Sequence, residues 1–370
     1  MKVFLGLFAS LVLLLASCSL PSTQTREGEV NAQPSTKNET DNQSTNEIQE
    51  KPKLDEIVNP ITISFTGDIL LDSWVGAAIE QNGVDFPYQH TKHILQKSDI
   101  TVGNLETAVS TRGTPEEKRF AFRSKPETLQ GLANAGYDMV SIANNHTLDY
   151  GMDALFDTMD HLDNHGIGYS GAGKNEEEAF TAYYKTVNGK KIAILGLSRV
   201  LPYAEWAARP ESPGIASAYT YEPMMEYVEK AVEHSDYTIV FIHWNKERED
   251  YPEDYARVMA REFIDAGVAA VLGSHSHSLM GIEYYKGAPI YYSLGNFVFT
   301  QSKSHKGQES MIVNLSIEKN EIKSQIIPAK IVSHQPTLMD EGYNRTIIDK
   351  LNRLSYNVQI DQNGNVSPKE

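Results

Sequence analysis

Five apolar runs in this chain each end on a polar residue of the same kind, and that pattern narrows the possible folds more than any other feature. Ile61–Thr66 runs into Gly67-Asp68, and Ile100–Val102 into Gly103-Asn104-Leu105-Glu106. Asp138–Ala143 runs into Asn144-Asn145-His146, Tyr237–Ile242 into His243-Trp244, and Ala269–Leu272 into Gly273-Ser274-His275-Ser276-His277. Short apolar runs bounded by turn residues read as buried strands. In open α/β sheets, ligands bind where such strands end at their carboxyl side.

Helical stretches separate the runs. The spacing of apolar residues predicts helices over Lys92–Lys97, Pro126–Ala135, Met152–His165, Glu222–His234 and Pro252–Ala266, and a further strand over Lys191–Leu197. Ala135-Gly136 and Ala266-Gly267 read as helix stops. Late in the chain the pattern turns to strands at Pro289–Ser293, Met311–Ile317 and Ile322–Val332. The fold class is α/β, with strands buried between helices and an antiparallel end.

Carboxylates, an Asn carbonyl and imidazoles form a mixed oxygen and nitrogen donor set. It suits Mn, Fe or Zn better than Ca or Mg. The glycines before these groups (Gly67, Gly103, Gly273) are expected to let the chain turn sharply beside an ion. Taken singly, each element has a plain structural reading: a turn, a helix N-cap, a surface His-x-His. Their conjunction along one α/β chain points to a metal-centred or metal-derived site.

The N-terminus reads as a targeting signal. Lys2 precedes an apolar stretch, Val3–Leu15, that is shorter than the roughly 20 residues of a membrane span and fits a signal-peptide core. It ends in Leu15-Ala16-Ser17-Cys18, similar to the bacterial lipobox, and Cys18 is the one cysteine of the chain. Residues 1–17 are thus expected to be a lipoprotein signal. Cys18 would carry the lipid and anchor the protein on the extracytoplasmic face of the cell membrane. Residues 18–57 are expected to form a disordered tether, since their polar composition cannot bury enough apolar surface. Residues 58–370 then form one large domain. The net charge of −16 excludes nucleic acid as the main partner.

The order of these motifs resembles the calcineurin-like metallophosphoesterases, whose pattern is Asp-x-His, Gly-Asp, Gly-Asn-His, His and Gly-His-x-His. The closer resemblance is to the CapA-type poly-γ-glutamate capsule synthesis proteins. It is carried by F-T-G-D-I-L-L at 65–71, V-G-N-L-E-T at 102–107, F-A-F-R-S-K-P at 120–126 and S-I-A-N-N-H-T-L-D-Y-G at 141–151. It continues through G-Y-S-G-A-G-K-N-E-E-E-A at 168–179, F-I-H-W at 241–244, G-S-H-S-H at 273–277 and Y-S-L-G-N-F-V-F at 292–299.

The resemblance implies a four-layer αββα sandwich of metallophosphoesterase type. It implies metal ligands at Asp68, Asn145, His243, His275 and His277, and a catalytic His146 that donates a proton or stabilises developing charge. This chain departs from the pattern at Leu70, where a His is expected, and at Asn104, which stands where the bridging Asp would be and becomes a candidate ligand-binding residue. Glu106 is the candidate replacement carboxylate. One or two divalent ions (Mn, Fe or Zn) are expected, with Asn145, His243 and His275 forming the intact half.

Arg123 and Lys125 are candidates for gripping an anionic substrate, and surface charge is their plain alternative. Trp244 and Trp206 could line a cleft or pack in the core. Two functions follow. One is a membrane-anchored component of poly-γ-glutamate synthesis or export, meeting that or another anionic polymer and the membrane synthase or export components. The other is a metal-dependent hydrolase of a phosphoester or γ-amide bond at the outer membrane face.

Overall fold

The computed structural model describes residues 59–319 and 321–369. Residues 1–58, on which the expected signal, the lipidated Cys18 and the expected tether fall, lie outside the described residues. Among the described residues, no helix is long and apolar enough to cross a membrane.

The first sheet is built around strand Ile61–Ile69. On one side it runs parallel to Ile100–Leu105, which is followed by Met139–Ser141 and Gly168–Ser170. On the other side it pairs antiparallel with Glu309–Glu318, which pairs with Glu321–Val332. The second sheet has Ala270–Ser274, Tyr237–His243 and Lys190–Ser198 as parallel neighbours, with Ala288–Tyr291 parallel beyond the first of these. Antiparallel Ile282–Tyr285 and Tyr183–Val187 close its two edges.

Three apolar layers follow from the alternation of side chains along these strands. Between the sheets, Ile63, Phe65, Ile100 and Val102 meet Ile194, Ile239, Phe241 and Leu272. Phe65 and Phe241 pack edge to face at 5.7 Å. On the outer face of the first sheet, Val140 and Ile312 pack with Leu129, Leu132, Leu155 and Leu162 from two helices. On the outer face of the second, Leu195, Val240, Ile242 and Val271 pack with Met224, Val228, Ala260 and Phe263. Each fully buried Val, Leu, Ile, Phe or Met side chain among them contributes about 1.5–3 kcal/mol. Helix Asp254–Asp265 shows why the pairing works. Its buried residues Ala256, Ala260, Phe263 and Ile264 recur at helical spacing and form one stripe. The result is the expected αββα sandwich.

The expected elements are present with shifted ends. Strands Ile61–Ile69 and Ile100–Leu105 run past Thr66 and Val102, so Asp68 and Asn104 stand inside paired strands rather than after them. Helix Leu129–Ala135 stops at Gly136, whose φ of 90° is left-handed. Helices Ser73–Asn82 and Glu341–Leu354 and strand Tyr183–Val187 are additions to the expected set. The first of these buries only Val75 and Ile79, too narrow a stripe to stand out in the pattern.

Candidate metal centre

The polar strand ends converge because both sheets aim the carboxyl ends of their parallel strands toward the same edge. A register irregularity between Phe65 and Asp68 sets Asp68 opposite Asn104. Gly67 permits a close approach rather than the expected sharp turn. Its φ is not positive, and a Cβ there would lie 1.8 Å from the Gly295 carbonyl oxygen. Gly273 is similar, since a Cβ would meet the Tyr292 carbonyl oxygen at 2.2 Å. The turn itself is made by histidines: His275 and His277 hold φ values of 87° and 53°. Non-glycine residues seldom adopt that region, and where they do the site is often functional.

Two donor sets result, Glu106–His243–His275 and Asp68–Glu106–His277, and within each the donor atoms lie within 4.8 Å of one another. Glu106 belongs to both. Its Oε1 stands 3.7 Å from His243 Nε2 and 3.9 Å from His277 Nε2. Asn145 Oδ1 lies 2.8 Å from His243 Nε2, on the same side as the first set. Both carboxylates are essentially inaccessible to solvent.

Neither Glu106 oxygen has a hydrogen-bond partner, nor does Asp68 Oδ2 or His275 Nδ1. Asp68 Oδ2 is 3.2 Å from His277 Nδ1, but that ring atom is hydrogen-bonded to Asn296 Oδ1 at 2.9 Å. Orphaned buried polar atoms cost roughly 1–3 kcal/mol each, and charged ones more. A divalent cation at either donor set would give Glu106 a partner, and one at the second set would do the same for Asp68 Oδ2, so the residues present fit such ions.

Electrostatics agree. Burial, and then the Asp68 charge, push the Glu106 carboxyl well above its usual range. Burial and the neighbouring imidazoles hold His243 well below its ordinary value, and His275 down to about 3. Burial acts against charge on His277 too, yet the Glu106 and Asp68 carboxylates raise it to about 10. The Asp68 charge raises both of its neighbours, Glu106 and His277, as a buried negative group without a balancing cation does.

Around the donors, polar side chains hold the geometry. Asn104 donates to Asp68 Oδ1 at 2.9 Å and accepts from Asn144 Nδ2 at 3.1 Å. It is wholly buried, so it touches ligands of the site rather than the cleft. Ser274 Oγ lies 2.9 Å from His243 Nδ1. Such outer partners orient metal-binding imidazoles.

His146 stands beside the donors without joining either set. Its Nδ1 is 2.7 Å from Asp149 Oδ2, and its Nε2 faces Glu106 Oε1 at 3.9 Å. Asp149 also accepts from the Phe122 amide and from Lys118. Asp149 Oδ2 is the nearer partner of Nδ1 and can only accept, so the ring proton belongs on Nδ1, while the Lys118 ammonium, 3.3 Å from that nitrogen, directs its protons to Asp149 Oδ1 and the Asn145 carbonyl. Burial lowers the His146 value, with Asp149 opposing.

His146 and His277 line a cleft of about 740 Å³ walled by Leu70, Trp74, Phe120, Phe122 and Phe299, with Arg248 and Lys303 also lining it. Trp74 and Phe120 are 68% and 54% exposed. Arg123 and Lys125 are not brought to this cleft. The Arg123 guanidinium donates to the Arg112 carbonyl and lies 4.2 Å from the Tyr150 ring centre, and Lys125 pairs with Glu80 on the surface. Trp244 is buried, donating to the Tyr292 carbonyl, and Trp206 is buried beneath Lys118. Lys118, Asp149 and Asn296 were not singled out from the sequence. Asp149 lies within the Asn-Asn-His-Thr-Leu-Asp run, but its partner Lys118 carries no local mark.

Two face-to-face sheets between helices, with carboxylates and imidazoles gathered at strand carboxyl ends, define an αββα sandwich with a candidate metal centre where those strand ends meet. The chain belongs to the bacterial capsule synthesis protein PGA_cap family, whose model matches residues 62–301. It is 31% identical over 313 residues to the PGA biosynthesis protein CapA of Bacillus subtilis, covering 83% of this chain and 82% of that one. It is 30% identical over 268 residues to the capsule biosynthesis protein CapA of Bacillus anthracis, covering 70% and 64%. A probable polyglutamine synthesis accessory protein of Mycobacterium tuberculosis matches at 31% over 228 residues, covering 58% and 59%.

Proposed function

We propose that this chain serves poly-γ-glutamate capsule synthesis or export as a lipid-anchored component on the extracytoplasmic face, and that its domain carries a divalent-metal hydrolytic site. The pathway rests on the family and on the names its relatives bear. The observation that carries the site is Glu106, shared by two imidazole-bearing donor sets with both carboxylate oxygens free. A lone structural carboxylate would not be buried in that state.

Asp68, Glu106, Asn145, His243, His275 and His277 would hold the metal, which when bound supplies Lewis-acid polarisation of a phosphoryl or carbonyl oxygen. The remaining chemistry belongs to the protein. Asp149 keeps the His146 proton on Nδ1, so Nε2 faces the donors as a proton acceptor. Nε2 takes the proton that the attacking water gives up as its oxygen bonds to phosphorus or to the carbonyl carbon, and the imidazolium so formed returns a proton to the leaving oxygen or amide nitrogen as that bond breaks. The aromatic walls ask for a ligand with apolar surface beside its anionic group, and a γ-glutamyl chain offers methylene pairs between carboxylates. The cleavable bond is a γ-amide or a phosphoester.

The test is a deletion strain complemented with the wild-type gene, Glu106→Gln or His146→Gln, scored for polymer amount and chain length. Purified protein is incubated in parallel with poly-γ-glutamate and a phosphodiester, with and without chelator. The reading predicts chelator-sensitive turnover of one substrate and no complementation by either variant. Full complementation by Glu106→Gln would overturn it.

A further inference from the structure

Lys118 is unusual for its place in the chain. It lies on the segment between strands Ala108–Val109 and Arg123–Ser124, with exposed neighbours Glu117 and Arg119. Yet its own side chain is only 14% exposed. Its ammonium reaches Asp149 Oδ1 at 2.6 Å and the Asn145 carbonyl, and it stands 3.3 Å from His146 Nδ1. It also lies 5.3 Å from the ring centre of Trp206. Among the described residues it is the lysine or arginine paired with Asp149.

Asp149 is completely buried. One of its oxygens serves His146 and the Phe122 amide, and the other serves Lys118. The same lysine touches the backbone of Asn145, whose side chain faces His243. Phe122, anchored by the same carboxylate, packs on the His146 ring at 4.7 Å. One ammonium therefore ties together the cleft wall, a metal-facing Asn and the acceptor behind His146.

We propose that Lys118 is a positioning residue for the hydrolytic site. It balances the buried Asp149 charge, keeps both carboxylate oxygens as acceptors, and so holds the His146 ring in the tautomer that turns an unprotonated Nε2 toward Glu106. Burying a carboxylate without its cation is costly, and a ring hydrogen-bonded by a weaker acceptor is free to carry its proton on either nitrogen. The role in turnover rests on the hydrolytic reading above, whereas the tautomer does not.

The full chain, labelled with 15N at histidine, separates the two. The His146 signals are identified by their loss in His146→Gln. The wild type is expected to show a neutral ring protonated at Nδ1. Lys118→Met is expected to mix or invert the tautomers, and Lys118→Arg to restore the wild-type pattern. In turnover, Lys118→Met should lower kcat about 10- to 100-fold, the range seen when an outer partner of a metal site is lost, with KM nearly unchanged. If Lys118→Met does not fold, Lys118→Gln is measured instead, and the same loss of the Nδ1-protonated form is expected. A folded variant of either kind that keeps the wild-type His146 signature overturns the proposal. A wild type that shows the tautomer but hydrolyses nothing overturns the hydrolytic reading and leaves the positioning role standing.

Discussion

Asn104 donates its side-chain amide to Asp68 Oδ1 at 2.9 Å across the two central parallel strands of the first sheet. An amide at that position cannot supply the negative charge that a bridging carboxylate would. Glu106, two residues on, reaches into the space instead, and its Oε1 lies within 3.9 Å of His146, His243 and His277. The departure in the motif and its compensation are thus one arrangement.

Glu106→Gln should empty both metal positions, because the carboxylate is common to the two donor sets. His275→Ala should empty one and His277→Ala the other. Metal content of the purified proteins after loading with Mn, Fe or Zn and desalting checks this. Loss of a single ion in Glu106→Gln would show that the sets are independent.

The same substitution should stabilise the metal-free protein. It removes a negative charge that burial and Asp68 both disfavour, while leaving the side-chain volume unchanged. Thermal melting in chelator should place Glu106→Gln above wild type, and loading with metal should reverse the order.

Acid should destabilise the metal-free protein from near-neutral pH downward. His243 is held well below 6.5 and His275 near 3, so each takes up its proton only on unfolding. Their contribution is present above about pH 6.5 and is lost as pH falls, with a limiting slope of about 1.4 kcal/mol per pH unit for each ring. His277, raised to about 10, acts in the opposite sense: its contribution is full below 6.5 and is lost as pH climbs toward 10. Denaturant titrations should show stability falling on the alkaline side as His277 loses its proton, and falling on the acid side less steeply than the two rings alone would give, because the raised Glu106 carboxyl acts in the opposite sense there. His243→Gln should flatten the acid limb.

Trp74→Ala and Phe120→Ala should raise KM or weaken polymer binding while leaving folding stability within about 0.5 kcal/mol, since both side chains are largely exposed. Binding titrations and melting curves on the same preparations separate the two effects. A large fall in melting temperature would mean that these rings hold the cleft together rather than meet its ligand.

Cys18→Ala should release the protein from the membrane fraction or leave the signal uncleaved. Mass spectrometry of the mature membrane form checks the lipid directly, and an unmodified Cys18 there would remove the anchor from the functional reading.

The strands and the donors at their ends were readable in the sequence because both are local. An apolar run of the right length marks a buried strand wherever it occurs, and the residue after it inherits the strand's end. Strand ends offered a wider set of polar residues, from which the family resemblance singled out Asp68, Asn145, His243, His275 and His277, with Glu106 as the replacement carboxylate, and the structure places these six around Glu106 and His243. Arg123 and Lys125 carried the right chemistry in the right loop, but their side chains turn to Tyr150 and Glu80, a matter of direction that residue type does not encode. Lys118 and Asp149 are separated by 31 residues, and nothing in either neighbourhood announces the other. Which donors share Glu106, which wall faces the cleft, and which cation stands behind His146 depend on how two sheets and the loops above them pack. That packing is set by the apolar layers Phe65–Phe241 and their neighbours, through contacts between residues far apart in the chain, and only the folded molecule decides it.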